Sequence, residues 1–240
     1  MPTLYLMKAN LDMVSLAKYG AEQGHSDPDR TAHCLITESF GKHSTPKPFV
    51  IKTQMNKGTL RGTLLAYTRF TAEELQETAE QHQKLAHIAV MNPNSITTVS
   101  VPNQWSEGQS MLFEVRVRPT KRSSSRDAKN PGAEQDIYLA SPEDTSRAET
   151  YFQWLSELMR RRGALQAAPC SMTMTQFAMR RVKRQNSTRW TVGPDATITG
   201  AATVVNPEHM ISALARGIGR HKGYGYGMIL LRPHSTPVDA

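Results

Sequence analysis

Cysteine is almost missing from this chain: Cys34 and Cys170 are the whole complement in 240 residues. Two thiols make neither a disulfide framework nor a four-ligand zinc set, and they read as unpaired thiols of a reducing cytoplasm. Long apolar runs are missing too. No stretch approaches the ~18 residues of a membrane span. The opening MPTLYLMKANLD lacks the basic region and apolar core of a signal peptide. No membrane partner is expected. Metal-ligand spacings are absent: there is no H-x-x-x-H, no C-x-x-C and no close carboxylate pair with a histidine, so the expectation is no metal and no cofactor. No period of ~20–50 residues repeats, which excludes a solenoid.

What the chain does have is positive charge, unevenly placed. The net charge is +8. Between Arg116 and Arg189 stand fifteen Lys and Arg against seven acids, which is the entire excess; elsewhere fourteen basic residues balance fourteen acidic ones. A solvated helix face mixes its signs. The clusters Arg160-Arg161-Arg162 and Arg180-Arg181-Val182-Lys183-Arg184 do not, and they point to a polyanionic partner such as a phosphate backbone.

Periodicity and capping residues give the elements. Thr3–Leu11 reads as a strand. Ser26-Asp27-Pro28-Asp29 opens a helix running to Phe40, with Gly41 as its stop. Phe49–Thr53 and Leu60–Thr68 are strands. Thr71 and Glu74 form a capping box for a helix to about Ala86. Ser110–Arg118 alternates as a strand does, and Thr120–Gly132 (TKRSSSRDAKNPG) reads as a mobile loop or hairpin tip. Ile137–Leu139 is a short strand, and Ser141-Pro142-Glu143-Asp144 caps a helix of about twenty residues ending in the arginine run. Met172–Lys183 and Thr197–Val205 are strands, Pro207–Arg216 a helix and Ile229–Arg232 a last strand. The first half reads β-α-β-β-α-β and the second approximates it. The expected fold class is α+β: two tandem ferredoxin-like (βαββαβ, RRM-like) domains, residues 1–132 and 133–240, with a C-terminal Gly-rich loop.

That loop, Gly217-Ile218-Gly219-Arg220-His221-Lys222-Gly223-Tyr224-Gly225-Tyr226-Gly227, is the sharpest local signal. Its glycines follow a helix and precede a strand, the reverse of a dinucleotide fingerprint, and there is no GK[ST] of a P-loop. It is either a tight turn that needs glycine or a place where backbone N–H groups approach phosphate, with Arg220 and Lys222 adding charge.

GIGRHKGYGYGMILLRP resembles the C-terminal loop of the RAMP proteins and, among them, the CasE family of CRISPR repeat endoribonucleases from type I-E Cascade. Three further segments carry the resemblance: Asp29–Leu35 with its histidine, the strand Phe113–Arg118 running into Pro119-Thr120-Lys121-Arg122, and Trp154-Leu155 leading to Arg161-Arg162-Gly163. Residues 54–110 have no anchor in it. The resemblance implies an RNA-cleaving enzyme acting at the base of a repeat hairpin, leaving a 2′,3′-cyclic phosphate, keeping the crRNA and joining other Cascade-type subunits.

Cleaving RNA without metal requires a base for the 2′-hydroxyl, an acid for the 5′-oxygen and a cation for the charge on phosphorus. Histidine suits the proton roles. The resemblance singles out His33 among the eight histidines as catalytic. Family members often carry tyrosine three residues earlier, where this chain has Arg30. Arg30 would hold or neutralise the phosphate rather than relay a proton, or else it is a helix-surface arginine beside Asp27 and Asp29. His221 is a second candidate for proton transfer. The RNA-binding candidates are Arg116, Arg118, Lys121, Arg122, Arg126, Lys129, Arg180, Arg181, Lys183 and Arg184, with Gly217, Gly219, Arg220, Lys222, Gly225 and Gly227 of the loop. The alternative function is a non-catalytic RNA-binding RAMP subunit of a CRISPR effector complex.

Overall fold

The computed structural model describes residues 3–25, 27–56, 58–122, 134–141, 144–183 and 190–234. The chain forms two compact units. One holds the residues up to Asn103 together with Leu214–Gly217 and His221–Met228; the other holds Gln104–Ala213, Ile218–Arg220 and the chain from Ile229.

In the first unit, strand β1 (Tyr5–Asp12) alternates strictly, with Met7, Ala9 and Leu11 buried between exposed Lys8, Asn10 and Asp12. The Asp12 carboxylate accepts from the Ser15 N–H at 2.7 Å and turns the strand directly into helix α1 (Met13–Glu22), which the sequence pattern had not marked. Helix α2 (Pro28–Ser44) starts where expected: the Asp27 side chain caps it at the Asp29 N–H, with proline in its first turn. Its Leu35, Ile36 and Phe40 face the core, and Gly41, at φ 67°, breaks it at the expected stop. Strands β2 (Phe49–Asn56) and β3 (Thr59–Thr68) form a hairpin. Helix α3 (Ala72–His82) has the Thr71–Glu74 capping box but stops short of Ala86; a separate short helix, α4 (Leu85–Val90), follows. Strand β4 (Thr97–Ser100) completes an antiparallel sheet in the order β2-β3-β1-β4, which is the ferredoxin-like order. One core joins Met7, Leu35, Phe40, Phe49, Leu64 and Leu75.

In the second unit, strand β5 (Ser110–Val117) lies between β10 (Trp190–Val204) and β11 (Ile229–Pro233). The far edge of β10 is shared end to end by β9 (Met172–Lys183) and the two-residue β8 (Leu165–Gln166). All these pairings are antiparallel. Between β5 and β8 come the small pair β6 (Thr120–Arg122) and β7 (Glu134–Asp136), then helix α5 (Arg147–Arg162). Helix α6 (Met210–Arg216) precedes the glycine loop. Reading β5, α5, β9, β10, α6 and β11 as βαββαβ gives the same ferredoxin-like order again.

The two compact units divide at Asn103/Gln104, whereas the sequence pattern places the division at 132/133. The fourth strand of the first unit is the short, mostly exposed TTVS of β4, too polar to alternate, and the well-patterned β5 opens the second unit because its hydrogen-bond partners are β10 and β11. Ile137–Leu139 is not a strand. Asp136 accepts from the Tyr138 N–H and curls Ile137–Ala140 into a 3₁₀ turn. Helix α5 is capped at Ser146, with Glu149 completing the box, rather than at Ser141.

Candidate active site

The first unit brings the candidate histidine to the glycine loop. His33, half-buried on α2, places its ring 4.6 Å from that of Tyr224, tilted by 42°. A Cβ on Gly223 would lie only 3.4 Å from His33 Nδ1, so the loop backbone runs along the imidazole. A cavity of about 170 Å3 opens at this point, lined by His33, Ile36, Thr37, Lys42, Thr45, Pro46, Lys47, Phe49 and Gly223. Burial holds the His33 pKa below its ordinary value. A hydrogen bond to the Gly223 backbone opposes that shift, and the charges of Lys47 and then Arg30 reinforce it. His33 is a neutral imidazole near pH 7, the form that accepts a proton.

Arg30 sits one turn earlier on α2 and does not line this cavity. Its guanidinium hydrogen-bonds Cys34, whose thiol burial pushes up in pKa while Arg30 pulls it back. Lys47, Thr37 and Tyr224 are the residues that sequence reasoning missed. Thr37 follows His33 by four residues and was legible as its helical neighbour; Lys47 and Tyr224 reach the site only through the tertiary fold.

Backbone geometry accounts for much of the glycine loop. Gly217, Gly219, Gly225 and Gly227 all have φ between 61° and 77°. A Cβ at Gly217 would stand 2.6 Å from the Gly227 carbonyl oxygen and 2.9 Å from Pro48, so the chain passes itself there with no room for a side chain. His221 adopts the same left-handed conformation (φ 59°), with its ring 6.4 Å from those of Tyr224 and Tyr226. Lys222 opens the 3₁₀ turn that carries Gly223 and Tyr224 to His33.

In the second unit several of the expected RNA-binding arginines are already paired. Arg116 grips Asp195 with two bonds of 2.8 and 2.6 Å, and Arg180 reaches the same carboxylate at 2.8 Å. Arg118 is only 5% exposed, 3.7 Å from Glu134, and lies under Gly193, where a Cβ would meet its guanidinium at 2.5 Å. Arg220 of the glycine loop binds the other oxygen of Glu134 at 3.0 Å. Arg160 and Arg161 share Glu157. Lys121, Arg122 and Arg181 are exposed. Lys183 closes β9, with its backbone opposite Trp190. Arg126, Lys129 and Arg184 lie outside the described residues. Among the described residues, no group of three or more His, Cys, Asp or Glu is placed to hold a metal ion, and no helix is long and apolar enough to cross a membrane.

Two units of ferredoxin-like strand order, the first holding a histidine helix against the glycine-loop backbone, define a double-ferredoxin fold. A sequence model described as "CRISPR associated protein" matches residues 4–233, and the chain belongs to that family. Its fold is that of CasE-type structures. It superposes on the CRISPR endoribonuclease Cse3 bound to 19-nucleotide RNA with a TM-score of 0.67 at 17% identity, covering 96% of this chain and 100% of that one. Thermus thermophilus Cse3 bound to an RNA representing a pre-cleavage complex gives 0.66 at 16% identity, with coverage of 96% and 100%. A chain of a CRISPR RNA-guided surveillance complex gives 0.54 at 14% identity, covering 95% and 99%. No curated protein sequence matches the chain.

Proposed function

We propose that this protein is an endoribonuclease that cuts CRISPR repeat RNA at the base of its hairpin and remains with the crRNA as a subunit of a Cascade-type complex. The observation that carries this reading is His33: a half-buried imidazole, kept neutral by its surroundings, held between Tyr224 and the Gly223 backbone at the mouth of a cavity lined by two lysines. Family membership and the fold shared with RNA-bound Cse3 support the substrate class.

His33 takes the proton of the 2′-hydroxyl beside the scissile phosphate. The freed oxygen attacks phosphorus, the bond from phosphorus to the 5′-oxygen breaks, and the leaving oxygen is protonated by the new imidazolium or by water. The products are a 2′,3′-cyclic phosphate and a 5′-hydroxyl. Base, charge and positioning all fall to side chains, so no metal enters any step. Lys121, Arg122 and Arg181 are the exposed cations best placed to hold the RNA backbone, joined by Arg126, Lys129, Lys183 and Arg184 of the same basic window.

Incubating the protein with its own repeat RNA in EDTA and sequencing the ends tests this directly. One cut at the hairpin base, with a cyclic phosphate on the upstream fragment, is expected. Tight binding with no cut would make the protein a non-catalytic RNA-binding subunit.

A further inference from the structure

The cavity beside His33 has the chemistry of an anion seat. Of the nine residues that line it, none is a carboxylate, and two, Lys42 and Lys47, are cations. Ile36, Pro46 and Phe49 add an apolar wall, which strengthens any charge interaction made against it. Thr45 donates its hydroxyl to the Gly41 carbonyl, whereas the buried Thr37 Oγ1 has no hydrogen-bond partner. A buried hydroxyl without a partner calls for an explanation, and an oxyanion in this cavity supplies one.

Lys47 differs from Lys42 in how it is held. Its N–H donates to the Tyr67 carbonyl at 3.1 Å, and the Tyr67 N–H donates back to the Pro48 carbonyl at 3.1 Å, so the residue is fastened to β3 on both sides. Lys42 follows the break at Gly41 in the last turn of α2. Backbone anchoring fixes the point from which the Lys47 side chain reaches the cavity wall, which limits the reorganisation needed to meet developing charge. His33 also feels the Lys47 charge ahead of that of Arg30.

We propose that this cavity seats the scissile phosphate and that Lys47, rather than Arg30, is the catalytic cation that neutralises charge on phosphorus; the proposal rests on the endoribonuclease reading above. Thr37 donates to a phosphate oxygen in the same seat. The test compares wild type, Lys47→Ala, Lys47→Gln, Lys47→Arg and Arg30→Ala in single-turnover cleavage of the repeat hairpin. Affinity is measured on a hairpin carrying a 2′-deoxy group at the cut.

Lys47→Ala and Lys47→Gln should slow cleavage by about 10²–10³-fold, as for loss of one preorganised transition-state donor. Affinity should stay within ~3-fold, because one lysine is a small part of a many-phosphate interface. Lys47→Arg should recover much of the rate, and Arg30→Ala should slow cleavage less than Lys47→Ala. The acid limb of the rate profile should move to higher pH in Lys47→Ala, since removing a neighbouring cation favours the imidazolium. Full-speed cleavage by Lys47→Ala and Lys47→Gln, or a loss of affinity equal to the loss of rate, overturns the proposal.

Titration of the wild-type His33 ring resonances with inorganic phosphate provides a reading independent of cleavage. A response in wild type that Lys47→Gln abolishes supports the seat, and no response in wild type removes it. A wild type that shows the response yet leaves the hairpin intact sinks the endoribonuclease reading and not the seat.

Discussion

His33 is reachable by titration as well as by mutation. His33→Ala should cut the single-turnover rate by about 10²–10⁴-fold, the usual worth of a general base, while hairpin affinity barely moves. The wild-type rate should hold from neutral pH down to the ordinary histidine value of 6.5 and fall only below it, because burial depresses the folded pKa and the neutral ring persists into mild acid. A pH–rate profile with its acid inflection above 6.5 would contradict this. Tyr224 packs on the same ring, so Tyr224→Phe should keep most of the activity and Tyr224→Ala should lose it through a loosened imidazole; comparing kcat with KM for the pair checks the assignment. The helical placement of His33 was legible in the sequence because Asp27-Pro28 announces the cap of α2, and its proposed role comes from the resemblance. Lys47 was not legible. Its lysine-proline context carries no signal, and only the hydrogen bonds to Tyr67, twenty residues on (67 against 47), bring it to the site.

Elements announced by strong local chemistry were readable, and elements defined by their partners were not. The Thr71–Glu74 box and the alternation of β5 are local and were found. Which sheet β5 joins is decided by β10 and β11, more than seventy residues away, and that choice sets where the two units divide. Strands β5, β10 and β9 together hold the Arg116–Asp195–Arg180 cluster, in which the Arg116 and Asp195 side chains are only 13% and 10% exposed. Asp195→Ala should therefore strand a buried guanidinium and cost roughly 3–5 kcal/mol of stability, read as a large fall in melting temperature. Losing RNA affinity while stability stayed intact would instead mean that Asp195 merely restrains a binding arginine. Gly217→Ala should be damaging for another reason: φ is 61° and the added carbon would sit 2.6 Å from a carbonyl oxygen, so the loop must move away from His33. Cleavage should fall more than the thermal transition does.

For the molecule as a whole, counting positive residues overstates the field offered to a polyanion. Of the fifteen basic residues in the central window, Arg116, Arg118, Arg147, Arg160, Arg161 and Arg180 are engaged with carboxylates. Exposed Lys121 and Arg122 are different. Replacing both with alanine should lower the slope of log affinity against log salt by about 0.7–0.9 for each phosphate left without its cation, whereas Arg160→Ala should leave it nearly unchanged. Stability should respond to acid through the histidines. His25, His33 and His87 all have pKa values held below 6.5, chiefly by burial. Each takes up protons more readily when unfolded, so their stabilisation is complete above pH 6.5 and is lost as pH falls through the folded values. The melting temperature should drop between about pH 7 and pH 5, and His87→Gln should blunt the drop.

The contact between His33 and Gly223 joins residues 190 positions apart in the chain (223 against 33). Helix α2 leaves the ribosome early, together with the rest of the first sheet, but the loop that faces its histidine is synthesised about 10–40 s later at ordinary rates of translation. Throughout that interval the nascent protein carries an imidazole with no loop behind it. A chain cut short by a nonsense codon, or clipped before residue 217, is left in the same condition. The cleavage proposed for His33 should therefore appear only in chains that extend through the glycine loop, and a chain ending before residue 217 should show none.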